Sequence, residues 1–220
     1  MKNKIKNLLR PIYAPVYNRY YDIFLAPKRY KYLSQSIRLT KAKNILEVGT
    51  WGGERALEMI LEAQKFHKKE EVNYYGFDLF EQMDREMFKF EISKIPPTKQ
   101  KVEEKLKVSG SPIHLFQGNT MQTLPEVSKT LPKMDFIYID GGHSLETIQN
   151  DWDYTKNLMH KGTIVLFDDY WQNKIDGGAK PLIDSLDRNI YNVEVLPVVD
   201  VSTKSEFGRL EIQYAKVMLR

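Results

Sequence analysis

Two apolar runs of the chain end abruptly in acid. Residues 135–143 read DFIYIDGGH and residues 163–169 read TIVLFDD, so one run stops on Asp140 and the other on Asp168 and Asp169. Three carboxylates at one sheet edge repel each other in a low-dielectric site and need a cation, a proton or basic side chains. Oxygen-only ligands suit Mg²⁺, which keeps waters or substrate oxygens in its remaining positions. Such an ion would lower the pKa of a coordinated hydroxyl and orient it for attack. Asp140 could instead cap the following turn, with Asp168 and Asp169 as exposed loop acids. His143 stands three residues after Asp140. Histidine's near-neutral pKa suits a general base, while orienting Asp140, touching a cofactor or a plain structural hydrogen bond are its other readings.

A second group of residues suggests a bound cofactor. LEVGTWGGERALE, residues 46–58, places Glu47 two residues before Gly49, with Gly52 and Gly53 following. Glycines there let the backbone approach a ligand and let a helix pack closely on a strand. The spacing is not the dinucleotide G-x-G-x-x-G, which disfavours a nicotinamide enzyme. Asp78 closes another apolar run 25 residues after Gly53 and could accept two hydrogen bonds from a ribose diol. FQGN, residues 116–119, offers Gly118 and Asn119 beside an adenine.

Those residues need strand ends to carry them. Buried strands are predicted at NILEVG, VNYYGFDLF, HLFQGN, DFIYIDGG and TIVLFDD. GERALEMILEAQKF has helical spacing, and residues 144–162 read as a helix ending at Gly162. This alternation predicts a parallel sheet with helices on both faces, whose ligands bind outside the strands' carboxyl ends. AKPLIDSLDR reads as a helix; YNVEVLPVVD and RLEIQYAKV then read as a closing hairpin. Residues 81–111, with Pro96-Pro97 and Met83, Met87, Phe88 and Phe90, are too long for a simple connection and read as a helical cap beside the site or an ordinary surface helix.

The set resembles class I S-adenosylmethionine-dependent methyltransferases over roughly residues 40–215. Residues 47–53 look like their first motif, with Glu47, Gly49, Thr50, Trp51 and Gly53 as cofactor residues, and Asp78 matches their ribose-binding acid. The resemblance implies an α/β, Rossmann-like seven-stranded methyltransferase sheet with a C-terminal antiparallel hairpin. The Asp-Gly-x-His turn at Asp140–His143 and the Asp168-Asp169 pair are similar to the macrocin-type sugar O-methyltransferases. That likeness implies Mg²⁺ held by Asp140, Asp168 and Asp169, with Asp140 also at the cofactor. It also resembles the metal site of catechol O-methyltransferase, whose last ligand is an amide where this chain has an acid. The implied reaction is methylation of a hydroxyl on a sugar or other small polyol, with Asp140 and His143 catalytic. Metal-independent methylation of another oxygen or nitrogen, and a non-catalytic cofactor-binding module, are the alternatives.

The 220 residues suit one α/β domain with decoration, taken as a basic helical extension over 1–40 and the S-adenosylmethionine-binding domain over 41–220. No cysteine is present, which excludes disulfides, thiol nucleophiles and Cys-ligated zinc. Net charge is +4, too mild to point to nucleic acid. The excess is local, with eleven Lys and Arg against one acid, Asp22, in residues 1–43. That face solvates a helix, meets an anionic acceptor or touches a membrane surface weakly. No secretory signal or membrane-length apolar run is visible, so a cytoplasmic protein is expected, with self-association through the Tyr-rich extension as a further expectation.

Overall fold

The computed structural model of the protein describes residues 26–83, 95–205 and 208–220. Strands β1 (Asn44–Val48), β2 (Asn73–Asp78), β3 (Ile113–Gln117), β4 (Phe136–Ile139) and β5 (Ile164–Trp171) follow one another with helices between them. They pair in parallel in the order β3-β2-β1-β4-β5. The order reverses between β1 and β4, and this is where a crevice opens at the carboxyl edge of such a sheet. Gly49 and Asp140, the residues just beyond those two strands, lie against each other there.

Side-chain alternation builds two cores. Ile45, Tyr74, Phe136, Tyr138 and Leu166 point to one face, against α1 (Lys31–Thr40), α2 (Glu54–Ala63) and α3 (Lys99–Lys107). Leu46, Phe77, Ile137, Ile139 and Phe167 point to the other, against α4 (Thr120–Val127), α5 (Leu145–Thr155) and α6 (Lys180–Ser185). Both faces of every central strand are covered, which is why these runs read as continuously apolar. Each large side chain buried in this way contributes about 1.5–3 kcal/mol. Leu33 and Ile37 of α1 lie in the first core, so the segment from Ala26 to Thr40 packs directly on the sheet.

The closing hairpin has three strands. β8 (Gly208–Leu219) runs antiparallel beside β5, and its other side is shared by β6 (Tyr191–Val195) and β7 (Asp200–Ser205). Pro197, which has no N–H to give a ladder, lies in the break between them. Among the described residues, eight strands thus fill seven positions across the sheet, and the first arm of the expected hairpin is one position occupied twice. α5 is capped by the Ser144 hydroxyl, which accepts from the Thr147 N–H at 3.2 Å, and it ends at Thr155 rather than running to Gly162. Within residues 81–111, α3 buries Val102 and Leu106 in the first core; Met87, Phe88 and Phe90, expected in a cap, lie outside the described residues. No helix among the described residues is long and apolar enough to cross a membrane.

β5 carries one irregularity. Phe167 faces Ala215 and Tyr170 faces Gln213, so Asp168 and Asp169 together oppose the single residue Tyr214. This is a β-bulge, and Asp169 takes the strained φ of +55° that it demands. Asp168 keeps the ordinary alternation, on the face of Leu166, and the bulge re-aims Asp169.

Candidate active site

The glycine turn after β1 is shaped by contact with β4. Gly49 has φ +92°, and a Cβ there would lie 1.9 Å from the carbonyl oxygen of Asp140. The next turn holds Trp51 at φ +43°, which aims its backbone N–H at Asp78 Oδ2, 2.6 Å away. Asp78 Oδ1 accepts from the Phe80 N–H at 2.8 Å. Burial raises the Asp78 pKa against these backbone donors. Each carboxylate oxygen keeps a second lone pair for a ligand hydroxyl. Beside it lies a cavity of about 260 Å³ at the carboxyl ends of β1, β2, β3 and β4. Gly49, Asp78, Gly118 and Asn119 line it, joined by Leu79, Met121, Gly141, Gly142, Glu146 and Thr147.

Behind the turn sits a buried polar trio. Glu47 is 1% exposed and accepts a hydrogen bond from the Tyr74 hydroxyl, which lies 3.1 Å from Thr50 Oγ1. Burial pushes the Glu47 carboxyl up to about 8, opposed in part by the Tyr74 bond. At neutral pH it is therefore a neutral acid that braces Thr50, and through it the glycine turn, from the α1–α3 side.

The strand-end acids are divided among separate partners. Arg29, 6% exposed, grips Asp168 with both ends of its fork: Nε donates to Oδ1 at 2.8 Å and Nη2 to Oδ2 at 2.9 Å. Its Nη1 donates to Asp200 Oδ2 at 3.2 Å. The Tyr138 hydroxyl lies 2.8 Å from Asp140 Oδ2, 3.1 Å from Asp168 Oδ2 and 2.9 Å from the Tyr214 hydroxyl. Across the bulge, Asp169 Oδ2 meets His143 Nε2 at 3.0 Å and its Oδ1 accepts from Trp171 Nε1 at 3.1 Å. Burial and then the Asp168 charge raise Asp140 well above the ordinary carboxylate range. Burial also raises Asp168, against the opposing pull of Arg29. Burial acts upward on Asp169 too, but His143 and its hydrogen bond hold this carboxyl below the ordinary range.

A family model described as a methyltransferase domain matches residues 46–170, which is more than half of the chain. The chain belongs to this methyltransferase domain family. No curated protein is similar enough in sequence to match. Among solved structures, an O-methyltransferase from Bacillus cereus in complex with SAH is 15% identical, with a TM-score of 0.61 over 89% of this chain and 82% of that one. The O-methyltransferase TomG from Streptomyces achromogenes, in complex with SAM, is 16% identical, with a TM-score of 0.60 over 90% and 82%. At these identities the likeness is one of fold.

The methyltransferase domain places the residues singled out in its sequence in three groups. Gly49, Asp78, Gly118 and Asn119 line the cavity, although the Asn119 side-chain oxygen also caps α4 by accepting from the Met121 N–H at 2.9 Å. Glu47 and Thr50 stand behind the turn, because alternation puts Glu47 on the same face as Ile45. Trp51 is 41% exposed with its indole N–H toward the Ile95 carbonyl, and Gly53, at φ +74°, lets α2 start beside Val102 of α3. The third group, Asp140, Asp168, Asp169 and His143, gathers at the ends of β4 and β5. As these side chains stand, they do not fit a magnesium triad. Each Asp168 oxygen already has two partners, the guanidinium fork plus the Asp169 N–H or the Tyr138 hydroxyl, and the Asp169 oxygens face His143 Nε2 and the Trp171 indole N–H. Among the described residues, no three His, Asp or Glu side chains are arranged to hold a metal ion.

Sequence reading missed Arg29, Tyr138 and Tyr214. Tyr138 was open to inference, since it lies two residues before Asp140 on the same face and a tyrosine in a core strand needs a partner for its hydroxyl. Arg29 carries no local signal; its partner Asp168 is 139 residues away. Glu146 and Thr147 could have been proposed from the rule that the helix following each strand starts at the ligand crevice.

Proposed function

We propose that the protein is an S-adenosylmethionine-dependent O-methyltransferase acting on a hydroxyl of a sugar or other small polyol. The observation that carries the cofactor is the cavity at the point where strand order reverses, with Asp78 and the Gly49 turn on its wall. Asp78 would receive the ribose hydroxyls, and Gly118 and Asn119 would flank the adenine. Support for oxygen as the acceptor comes from the Bacillus and Streptomyces proteins of the same fold, both named O-methyltransferases.

In the reaction, the hydroxyl oxygen attacks the sulfonium methyl, the C–S bond breaks and S-adenosylhomocysteine remains. The hydroxyl proton passes to His143, beside the cavity-lining Gly141 and Gly142 and oriented by Asp169 at 3.0 Å. Asp140 contributes the carboxylate side of the acceptor site. No step is routed through magnesium, so the proposal takes the metal-independent form of the activity. A cytoplasmic setting, suited to a chain without cysteine, belongs to the same proposal.

Calorimetry with S-adenosylmethionine, S-adenosylhomocysteine and NAD tests the cofactor. Incubation with a panel of sugars and polyols, with and without EDTA, followed by mass spectrometry, tests the acceptor. Tight NAD binding without S-adenosylhomocysteine binding would defeat the reading; methylated amine products without methylated hydroxyls would defeat the choice of oxygen.

A further inference from the structure

We infer that Arg29 is the resident cation of the strand-end acid cluster, held in the place a divalent ion would need, and that the segment before α1 thereby completes the active centre. This goes beyond the proposed reaction, and it concerns the same site.

The geometry is that of a built socket. Asp168 is buried and presents both oxygens to the guanidinium in the bidentate, fork-to-carboxylate arrangement. Asp200, at the start of β7, holds the segment from the other side. Its Oδ1 accepts from the Lys28 N–H and its Oδ2 from the Arg29 N–H, both at 3.0 Å, besides the contact with Nη1. The guanidinium carbon also lies 5.3 Å from the Tyr30 ring centroid and 5.6 Å from that of Tyr214. Weak hydration and a flat shape make arginine, rather than lysine, the residue for such a buried slot. The Asp169 N–H at 2.7 Å and the Tyr138 hydroxyl at 3.1 Å meet the remaining lone pairs of Asp168, so a magnesium ion, which needs oxygens at about 2.0–2.1 Å, finds none of them open. The two cations therefore exclude each other.

The location separates this from an ordinary structural ion pair. The Tyr138 hydroxyl bridges Asp168 to Asp140, so the Arg29 charge is one hydroxyl removed from the carboxylate of the residue whose backbone carbonyl packs against Gly49. Arg29 is thus a positioning residue: it neutralises Asp168 and lets Tyr138 orient Asp140. Taking its charge away should leave Asp140 and Asp168 as a pair of uncompensated buried carboxylates, which is what a divalent ion binds.

The test is a Mn²⁺ titration of the full chain followed by electron paramagnetic resonance, with Mg²⁺ as competitor. The wild type should show no stoichiometric Mn²⁺ site, and neither should Arg29→Lys, which keeps a cation. Arg29→Ala and the milder Arg29→Gln should gain one site, tighter than any wild-type binding by roughly tenfold or more, lost again when Asp168→Asn is added. In the same variants, Mg²⁺ should raise the thermal midpoint, which it should not do in the wild type. A stoichiometric wild-type site abolished by Asp168→Asn would overturn the inference even if the Arg29 variants fail to fold. So would Arg29→Gln that folds and gains no site. S-adenosylhomocysteine calorimetry on the same samples keeps the methyltransferase reading separate: its failure would remove the cofactor assignment and leave the cation result standing.

Discussion

Replacing Glu47 by glutamine should remove a pH-dependent instability from the protein. Glu47 is 1% exposed, and burial displaces its carboxyl from an ordinary 4.5 to about 8. Between those two values the folded state holds a proton that the unfolded state releases. Stability therefore falls as pH rises through that window, and the fall is complete above pH 8. The displacement spans about 3.5 pH units, and at about 1.36 kcal/mol per unit the ceiling is roughly 5 kcal/mol. Local opening that admits water would reduce this, so about 2–5 kcal/mol is the expected range. Against a total stability of about 5–15 kcal/mol this is a large fraction. Glutamine keeps the shape and an acceptor for the Tyr74 hydroxyl, but it cannot ionise. The assay is urea unfolding of both proteins without cofactor at intervals from pH 5 to pH 9. Asp140 and Asp168 are also raised and titrate in the same direction, so the difference between the two curves isolates Glu47. The variant should match the wild type near pH 5 and exceed it increasingly toward pH 8. Parallel curves would refute the claim that Glu47 is neutral in the folded protein.

Asp78→Ala should weaken S-adenosylhomocysteine binding by roughly 1.5–3 kcal/mol in calorimetry, the value of hydrogen bonds to a charged group; unchanged affinity in a folded variant would remove Asp78 from the cofactor site. His143→Ala should lower kcat by roughly 10²–10⁴-fold with S-adenosylhomocysteine affinity intact, and a loss of only a few-fold would assign the proton to another group. Gly49→Ala should cost about 3 kcal/mol or more in chemical denaturation, because its Cβ would lie 1.9 Å from the Asp140 carbonyl oxygen. A normal unfolding midpoint for that variant would mean that the β1 and β4 ends can part freely.

The parallel sheet and its ligand edge were legible because each depends on local patterning. The run NILEV alternates between two buried faces, and the acid or glycine after each strand marks the carboxyl end. The side of the sheet on which Glu47 lies was also within reach, being two residues from Ile45. What could not be read was anything set by pairing between distant segments. The bulge at Asp168-Asp169 exists only in the register of β5 on β8, and nothing in TIVLFDD distinguishes a bulged strand end from a regular one. The division of the hairpin's first arm was hinted at by Pro197, but its consequence, Asp200 placed against the backbone of Lys28 and Arg29, depends on contacts across more than 170 residues.

That bulge decides the chemistry of the acid cluster. A regular strand would put Asp168 and Asp169 on opposite faces of the sheet, and a turn could have swept both toward Asp140 as one triad. That alternation keeps Asp168 on the face of Leu166, beneath the segment before α1, where Arg29 can reach it, and the extra residue opposite Tyr214 re-aims Asp169 toward His143 and Trp171. Two adjacent carboxylates thereby acquire two different nitrogen partners within one strand end. Their mutual repulsion is met by two separate nitrogen partners, the Arg29 guanidinium and the His143 ring, instead of one shared ion. Asp140 shares the Tyr138 hydroxyl with Asp168, while its backbone carbonyl packs against the glycine turn. A site divided in this way can hold one acid for orientation of a base and another for the acceptor, because the environment of each is fixed by a different element of the fold.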